Sequence, residues 1–157
     1  MFRALKLGLL SLVIIFLLIT AISLLIPSQV RISKAIDITA PDSSVLHMIK
    51  DTATWKNWYP AFQSETALLN KDLAIKTITS TDSKVEMELT KEGKKSLLNG
   101  WEVYTHGSSE DITLQWYMDF RLRWYPWEKF GSLFYESSYG AMMEQGLTNL
   151  KNLAEKE

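Results

Sequence analysis

From Leu7 to Ile26 the chain reads LGLLSLVIIFLLITAISLLI, with no charged residue. As a helix those twenty residues would span about 30 Å, the thickness of a bilayer's hydrocarbon core. The run predicts a membrane-spanning helix over Leu7–Ile26, ended by Pro27, which blocks helix continuation. A cleaved signal peptide is the alternative, but its apolar run covers only about 7–15 residues before a small-residue cleavage site. Ala21-Ile22-Ser23 imitates such a site poorly and lies inside the apolar run. Arg3 and Lys6 precede the run and Arg31 and Lys34 follow it. A short tail before a first helix usually stays cytoplasmic, so residues 28–157 are expected on the outer side, periplasmic or extracellular. Gly8, Ser11 and Ser23 form no GxxxG face for dimerisation.

Beyond Pro27 the pattern changes to alternation. Val30, Ile32, Ile36 and Ile38 alternate with Arg31, Ser33, Asp37 and Thr39, which predicts a strand with one buried face. Lys34 falls on the apolar side, either snorkelling at a sheet edge or reaching into a cavity. Ala40-Pro41-Asp42 opens a helix whose apolar face is Val45, Leu46, Met48 and Ile49. Asp51–Trp58 reads as a second short helix, stopped at Tyr59-Pro60, with Trp55, Trp58 and Tyr59 as its apolar cluster.

Strand patterns return from about Leu73 to Tyr125. Ile75, Thr77 and Thr79 alternate weakly, and Val85, Met87 and Leu89 clearly, before a turn at Glu92-Gly93-Lys94. Leu97, Trp101 and Val103 form the next inward set, and Gly107-Ser108-Ser109 makes the following turn. In the last strand Ile112, Leu114, Trp116, Met118, Phe120, Leu122 and Trp124 share one face; Thr113, Gln115, Tyr117, Asp119, Arg121 and Arg123 share the other. The segment from Trp127 onward is helical in spacing, with a phase shift around Ser137-Ser138 that predicts a break there. A packing helix is expected from about Tyr139 to Ala154, bearing Met143, Gly146, Leu147 and Leu150. The order predicts an α+β domain, a curved antiparallel sheet around a long C-terminal helix, with a cavity where the sheet curls away.

Composition sharpens this division. Of 157 residues, the first 27 hold two of the 17 Lys and Arg and none of the 18 Asp and Glu, which leaves a C-terminal remainder of net charge −3. With no basic excess to neutralise phosphates, nucleic acid is excluded as an expected partner. The absence of Cys excludes disulfide frameworks, thiol nucleophiles and iron–sulfur clusters. The two histidines, His47 and His106, have no neighbour at metal-ligand spacing, so neither a metal nor a cofactor is expected.

The sequence resembles the START-like, helix-grip superfamily, also called SRPBCC, which includes polyketide cyclase/dehydrase and lipid-transport proteins. The residues that carry the resemblance are Ile36-Asp37-Ile38-Thr39-Ala40-Pro41 leading into Val45–Ile49, Asp51 and Trp55-Lys56-Asn57-Trp58-Tyr59-Pro60. Leu114-Gln115-Trp116-Tyr117-Met118, Gly140, Glu144-Gln145-Gly146-Leu147 and Asn149-Leu150-Lys151 carry it at the far end. An apolar segment ending in Leu-Ile-Pro before the first strand is similar to a membrane-anchored bacterial subgroup. The resemblance implies a helix-grip fold with a hydrophobic-ligand cavity and no single reaction. Residues 1–27 are then an anchor and residues 28–157 the START-like domain.

The richest feature is aromatic density: twelve of 18 aromatic residues lie between Trp101 and Tyr139. Part of that set is expected in the core. The candidate cavity lining is Trp101, Trp116, Met118, Phe120 and Trp124, facing Gly140, Met143 and Leu147, and the expected occupant is a hydrophobic small molecule or lipid held without catalysis. Asp119 shares the outward face with Arg121 and Arg123, which predicts a solvated ion pair rather than a general base. Glu136 and Glu144, beside the expected helix break, are read as capping or exposed. Two alternatives stay open: a cyclase/dehydratase-type enzyme using an inward acid or Tyr, and a protein-interaction module docking through Trp124–Phe130. A third use of Trp124, Tyr125, Trp127 and Phe130 is to rest at the membrane interface beside the anchor.

Overall fold

The computed structural model describes residues 2–63, 72–93, 95–107 and 111–156. The elements are helix α1 (Phe2–Ser23), strand β1 (Gln29–Thr39), helices α2 (Asp42–Lys50) and α3 (Trp55–Trp58), and strands β2 (Leu73–Ser80), β3 (Lys84–Lys91), β4 (Leu97–Thr105) and β5 (Asp111–Arg121), then helices α4 (Pro126–Gly131) and α5 (Tyr135–Ala154). Three-residue 3-10 turns at Thr52–Thr54, Pro60–Phe62 and Ser132–Phe134 join the short helices. The chain forms two compact units, Met1–Val30 with Arg121–Tyr135, and Arg31–Phe120 with Glu136–Glu157.

In the larger unit the five strands form one sheet in the order β1-β5-β4-β3-β2, and β2 through β5 pair as an antiparallel meander. The alternation seen in sequence places Val85, Met87, Leu89, Trp101, Val103, Ile112, Leu114, Trp116 and Met118 in the core, with Met143, Leu147 and Leu150 of α5 and Val45, Leu46 and Ile49 of α2. Each of these side chains contributes roughly 1.5–3 kcal/mol on burial. β2 is the exposed edge, with Ile78 half exposed; that explains its weak alternation, because an edge strand without a covered face selects few apolar positions. The turn after β3 uses Gly93 at φ +72°, a left-handed conformation open to glycine. Gly107 does the same after β4 at φ +67°. Lys94, Ser108 and Ser109 of the expected turns lie outside the described residues.

The other sheet face is a polar ladder. Arg31 meets Asp119, Ser33 accepts from Gln115, and Thr39 and Thr113 donate to Asp111 and Asp37, linking β1 to β5 rung by rung. Asp119 thus pairs across strands with Arg31 at 2.6 Å. Tyr117 keeps its outward parity but is covered on that face, being 2% exposed. Its ring lies over Gly100, where any Cβ would collide with it; the Arg31 guanidinium covers it at 4.1 Å, and its hydroxyl donates to Glu86 at 2.6 Å.

The smaller unit gathers α1, the start of β1 and the segment after β5. Its chain path corrects two expectations. The last strand stops at Arg121 instead of continuing to Trp124, because the Arg123 backbone N–H donates to the Glu128 carboxylate at 2.8 Å and Pro126 opens α4. The helix break falls at the 3-10 turn Ser132–Phe134 rather than at Ser137-Ser138. A 3-10 turn advances the chain by about 3 residues per turn instead of 3.6, which supplies the phase shift, while α5 runs on unbroken from Tyr135 through Gly140.

Candidate functional site

The inner face of the larger unit is built on aromatic rings. β4 and β5 place Trp101 opposite Trp116 in register, and the two indoles stack at 5.6 Å. α3 and its following turn deliver Trp55, Trp58, Tyr59 and Phe62 from one short segment: Trp58 meets Trp101 at 6.3 Å and Trp116 at 6.0 Å edge-on, and Tyr59 meets Trp116 at 4.8 Å. Edge-to-face pairs of this kind add about 0.5–1.5 kcal/mol beyond area burial. α5 closes the other side: Gly146 lies against Trp116, where a Cβ would stand 2.7 Å from Cζ3 and 3.1 Å from Pro60 Cδ. Local chemistry sets the α3 geometry, since Asp51 accepts from Ala53 N–H and Trp55 Nε1 donates to the Ile49 carbonyl at 2.9 Å.

Polar atoms in this apolar cluster are few and unusual. Trp116 Nε1 donates to Asn99 Oδ1 at 3.1 Å. Asn99 Nδ2, Trp58 Nε1 and Trp101 Nε1 are buried donors without an acceptor among the described residues. An unmet buried donor costs about 1–3 kcal/mol, so three grouped around one ring are a chemical feature and not background. All three are donor atoms, so the group that would complement them is an acceptor. Tyr59 is 2% exposed, and burial pushes its phenol well above the usual value, so it stays protonated at neutral pH.

Of the residues proposed from sequence, Trp101, Trp116, Met118, Met143 and Leu147 are buried in this unit. Phe120 is partly exposed with its ring 4.9 Å from Tyr139. Trp124 is 58% exposed, beyond the end of β5 and in the other unit, which removes it from the inward set. Gly140 lies away from the tryptophans: its missing Cβ makes room for the Lys34 stem, 3.1 Å away. Lys34 thereby crosses α5 and places its ammonium 2.8 Å from Glu136 and 2.7 Å from Glu144. Both carboxylates raise its pKa, Glu136 first, so the snorkelling reading of Lys34 holds, and the two glutamates are exposed partners of a surface cation. His47 is exposed, and His106 is exposed with a ring nitrogen 2.6 Å from the Thr113 hydroxyl. Asn99, Trp58 and Tyr59 were absent from the sequence-derived lining. Asn99 carries a legible signal, sharing strand parity with Trp101 and Val103 on β4.

Among solved structures, the chain is similar to the di-domain aromatase/cyclase StfQ of the steffimycin biosynthetic pathway, with a TM-score of 0.60, 8% identity, and coverage of 82% of this chain and 51% of that one. A START superfamily protein from Mycobacterium smegmatis matches at TM-score 0.56 and 12% identity over 80% of this chain and 97% of the other. The fold is START-like. Zhui aromatase/cyclase from Streptomyces sp. R1128 shares the START-like fold at TM-score 0.50 and 12% identity over 82% of this chain and 94% of that one. The chain spans about half the length of the di-domain proteins it matches. No family model matches the sequence, and no curated protein does. The five-stranded sheet with its long C-terminal helix is thus the helix-grip arrangement that the resemblance implied.

Proposed function

We propose that the chain is a membrane-anchored START-like domain that holds an apolar, oxygen-bearing molecule, lipid or polyketide-like, between its sheet and α5, without catalysis. The observation that carries this reading is the set of three buried donors, Asn99 Nδ2, Trp58 Nε1 and Trp101 Nε1, with no acceptor among the described residues. Trp101, Trp116, Met118, Met143 and Leu147 supply the apolar contact around them. The neighbours named as aromatase/cyclases support the ligand class. Catalysis by these carboxylates is disfavoured by their placement: Asp119, Glu136 and Glu144 are each bound to a cation at the rim or outer face.

The anchor is α1. Leu5–Ser23, 19 residues whose large apolar side chains are exposed, rise about 28 Å, against about 30 Å of hydrocarbon. Residues 1–27 are then the anchor and residues 28–157 the binding domain, on the outer side of the membrane.

The full-length protein in lipid nanodiscs provides the test. It is titrated with 2-methyl-1,4-naphthoquinone and with 2-methylnaphthalene, which shares the ring system but lacks the carbonyl oxygens. Tighter binding of the quinone is expected, by about 5- to 30-fold for one or two hydrogen bonds of ~1 kcal/mol each. That advantage should shrink in Trp58→Phe and Trp101→Phe. Equal affinity for the two probes, or no binding of either, would refute the reading.

A further inference from the structure

The smaller unit carries an exposed apolar surface that the ligand site does not use. Trp124, Trp127, Leu133 and Phe134 are 58%, 64%, 64% and 68% exposed, and they fall within eleven residues of one another around α4. Tyr125 holds the two indoles in place, 4.9 Å from Trp124 and 4.8 Å from Trp127. Its other ring contact is the Arg123 guanidinium at 5.1 Å. Such a cluster of large apolar side chains marks a contact surface.

The chain ties this surface to the end of α1. Lys129, only 2% exposed, turns inward and donates its ammonium to the Ile26 carbonyl and the Ser28 hydroxyl, both at 2.8 Å. The Leu122 N–H donates to the Ser28 carbonyl at 2.8 Å. Ser132 closes the turn by donating to the Lys129 carbonyl at 2.7 Å. Two separate points of the Arg121–Tyr135 segment are therefore held at residues 26–28, just past the last residue of α1. Ile22, Leu24 and Leu25 at that end of α1 are themselves exposed. The arrangement is that of a short aromatic platform fixed at the level where an apolar span ends.

We propose that the Trp124–Phe134 segment is an interfacial foot, seated in the headgroup region of the same membrane that α1 spans. The proposal rests on the anchor reading above. Trp and Tyr rings favour that depth because one part of each is apolar and another hydrogen-bonds to water or headgroups. Charge plays the lesser part. Arg123 is neutralised by Glu128 at 3.1 Å and the Lys129 ammonium points into the protein, so insertion is driven by apolar burial and a zwitterionic lipid surface suffices. The foot would fix the rotation and tilt of the anchor relative to the bilayer.

The tryptophans make the test direct. α1 contains none, and Trp55, Trp58, Trp101 and Trp116 are 0% exposed, so only Trp124 and Trp127 can meet lipid. Full-length protein is reconstituted into phosphatidylcholine vesicles brominated on the acyl chains near the headgroup, washed with alkaline carbonate, and its tryptophan emission compared with that in unbrominated vesicles. Quenching of the emission owed to two of the six tryptophans is expected, and its disappearance in W124F/W127F. Emission unaffected by bromine in protein that survives the carbonate wash would overturn the foot while leaving the anchor intact, and would give the surface to a protein partner. Protein lost in the wash would overturn the anchor reading itself, and the foot with it.

Discussion

Gly146 of α5 lies against the edge of the Trp116 indole, so close that a Cβ would stand 2.7 Å from its Cζ3. Trp116 also contacts Trp58, Trp101 and Asn99, whose buried donors find no acceptor among the described residues, so a close approach of helix to sheet and the candidate ligand chemistry share one side chain. Gly146→Ala should gain about 1 kcal/mol of helix propensity and lose about 1–3 kcal/mol to overpacking. A net loss of about 1 kcal/mol is expected in urea unfolding. A more stable variant would show that α5 is free to move outward.

Trp55 and Trp101 are both fully buried, but only Trp55 has its N–H satisfied, by the Ile49 carbonyl. Replacing each by Phe removes similar volume. Trp55→Phe strands that carbonyl, whereas Trp101→Phe removes a donor that has no partner among the described residues. In the ligand-free protein Trp55→Phe should therefore be the more destabilising by about 1–3 kcal/mol. Equal losses on thermal unfolding would mean that the Trp101 donor is satisfied.

The Tyr117–Glu86 hydrogen bond predicts stability with two pH limits. That bond, ahead of the Lys84 contact, lowers the Glu86 pKa; stability from it is present above the unfolded carboxylate value and is lost as pH falls through the lower folded one. Burial, then the same bond, pushes Tyr117 up to about 12. Its share is present below the unfolded phenol value of about 10 and lost as pH rises from there toward 12. The raised Lys84 pKa, owed first to Glu86, acts in the same direction at the alkaline end. Tyr117→Phe should flatten the alkaline limb, read as the urea midpoint against pH; an unchanged limb would assign it to other groups.

Lys34, Glu136 and Glu144 join β1 to α5 by surface ion pairs. Exposed pairs gain little over hydration. K34M should leave the unfolding midpoint nearly unchanged and naphthoquinone binding intact. A large loss of binding would bring this triad into the site and reopen the enzymatic alternative.

Much of the fold was legible because burial on one face leaves a period in the chain. β1, β3 and β5 show it strongly, and Asp51–Tyr59 shows its ring cluster directly. The ends of elements were less legible. β5 looked three residues longer than it is because Leu122 and Trp124 continue its apolar parity; the Glu128 carboxylate, five residues downstream of Arg123, and Pro126 at the start of α4 stop the strand. Tyr117 looked outward by parity, and its burial depends on Gly100 of the neighbouring strand and on Arg31.

By itself, the sequence determined that a charge-free apolar run precedes a domain of mixed strands and helices, and which strand faces are apolar. These are local or periodic properties, and a single chain direction carries them. Tertiary structure alone decided that the Asn99, Trp58 and Trp101 donors meet no acceptor among the described residues, that Gly140 serves Lys34 while Gly146 serves Trp116, and that Lys129 turns inward to residues 26–28. Each of these depends on which residues from distant segments come within 3–4 Å, and strand or helix periodicity holds no record of that distance.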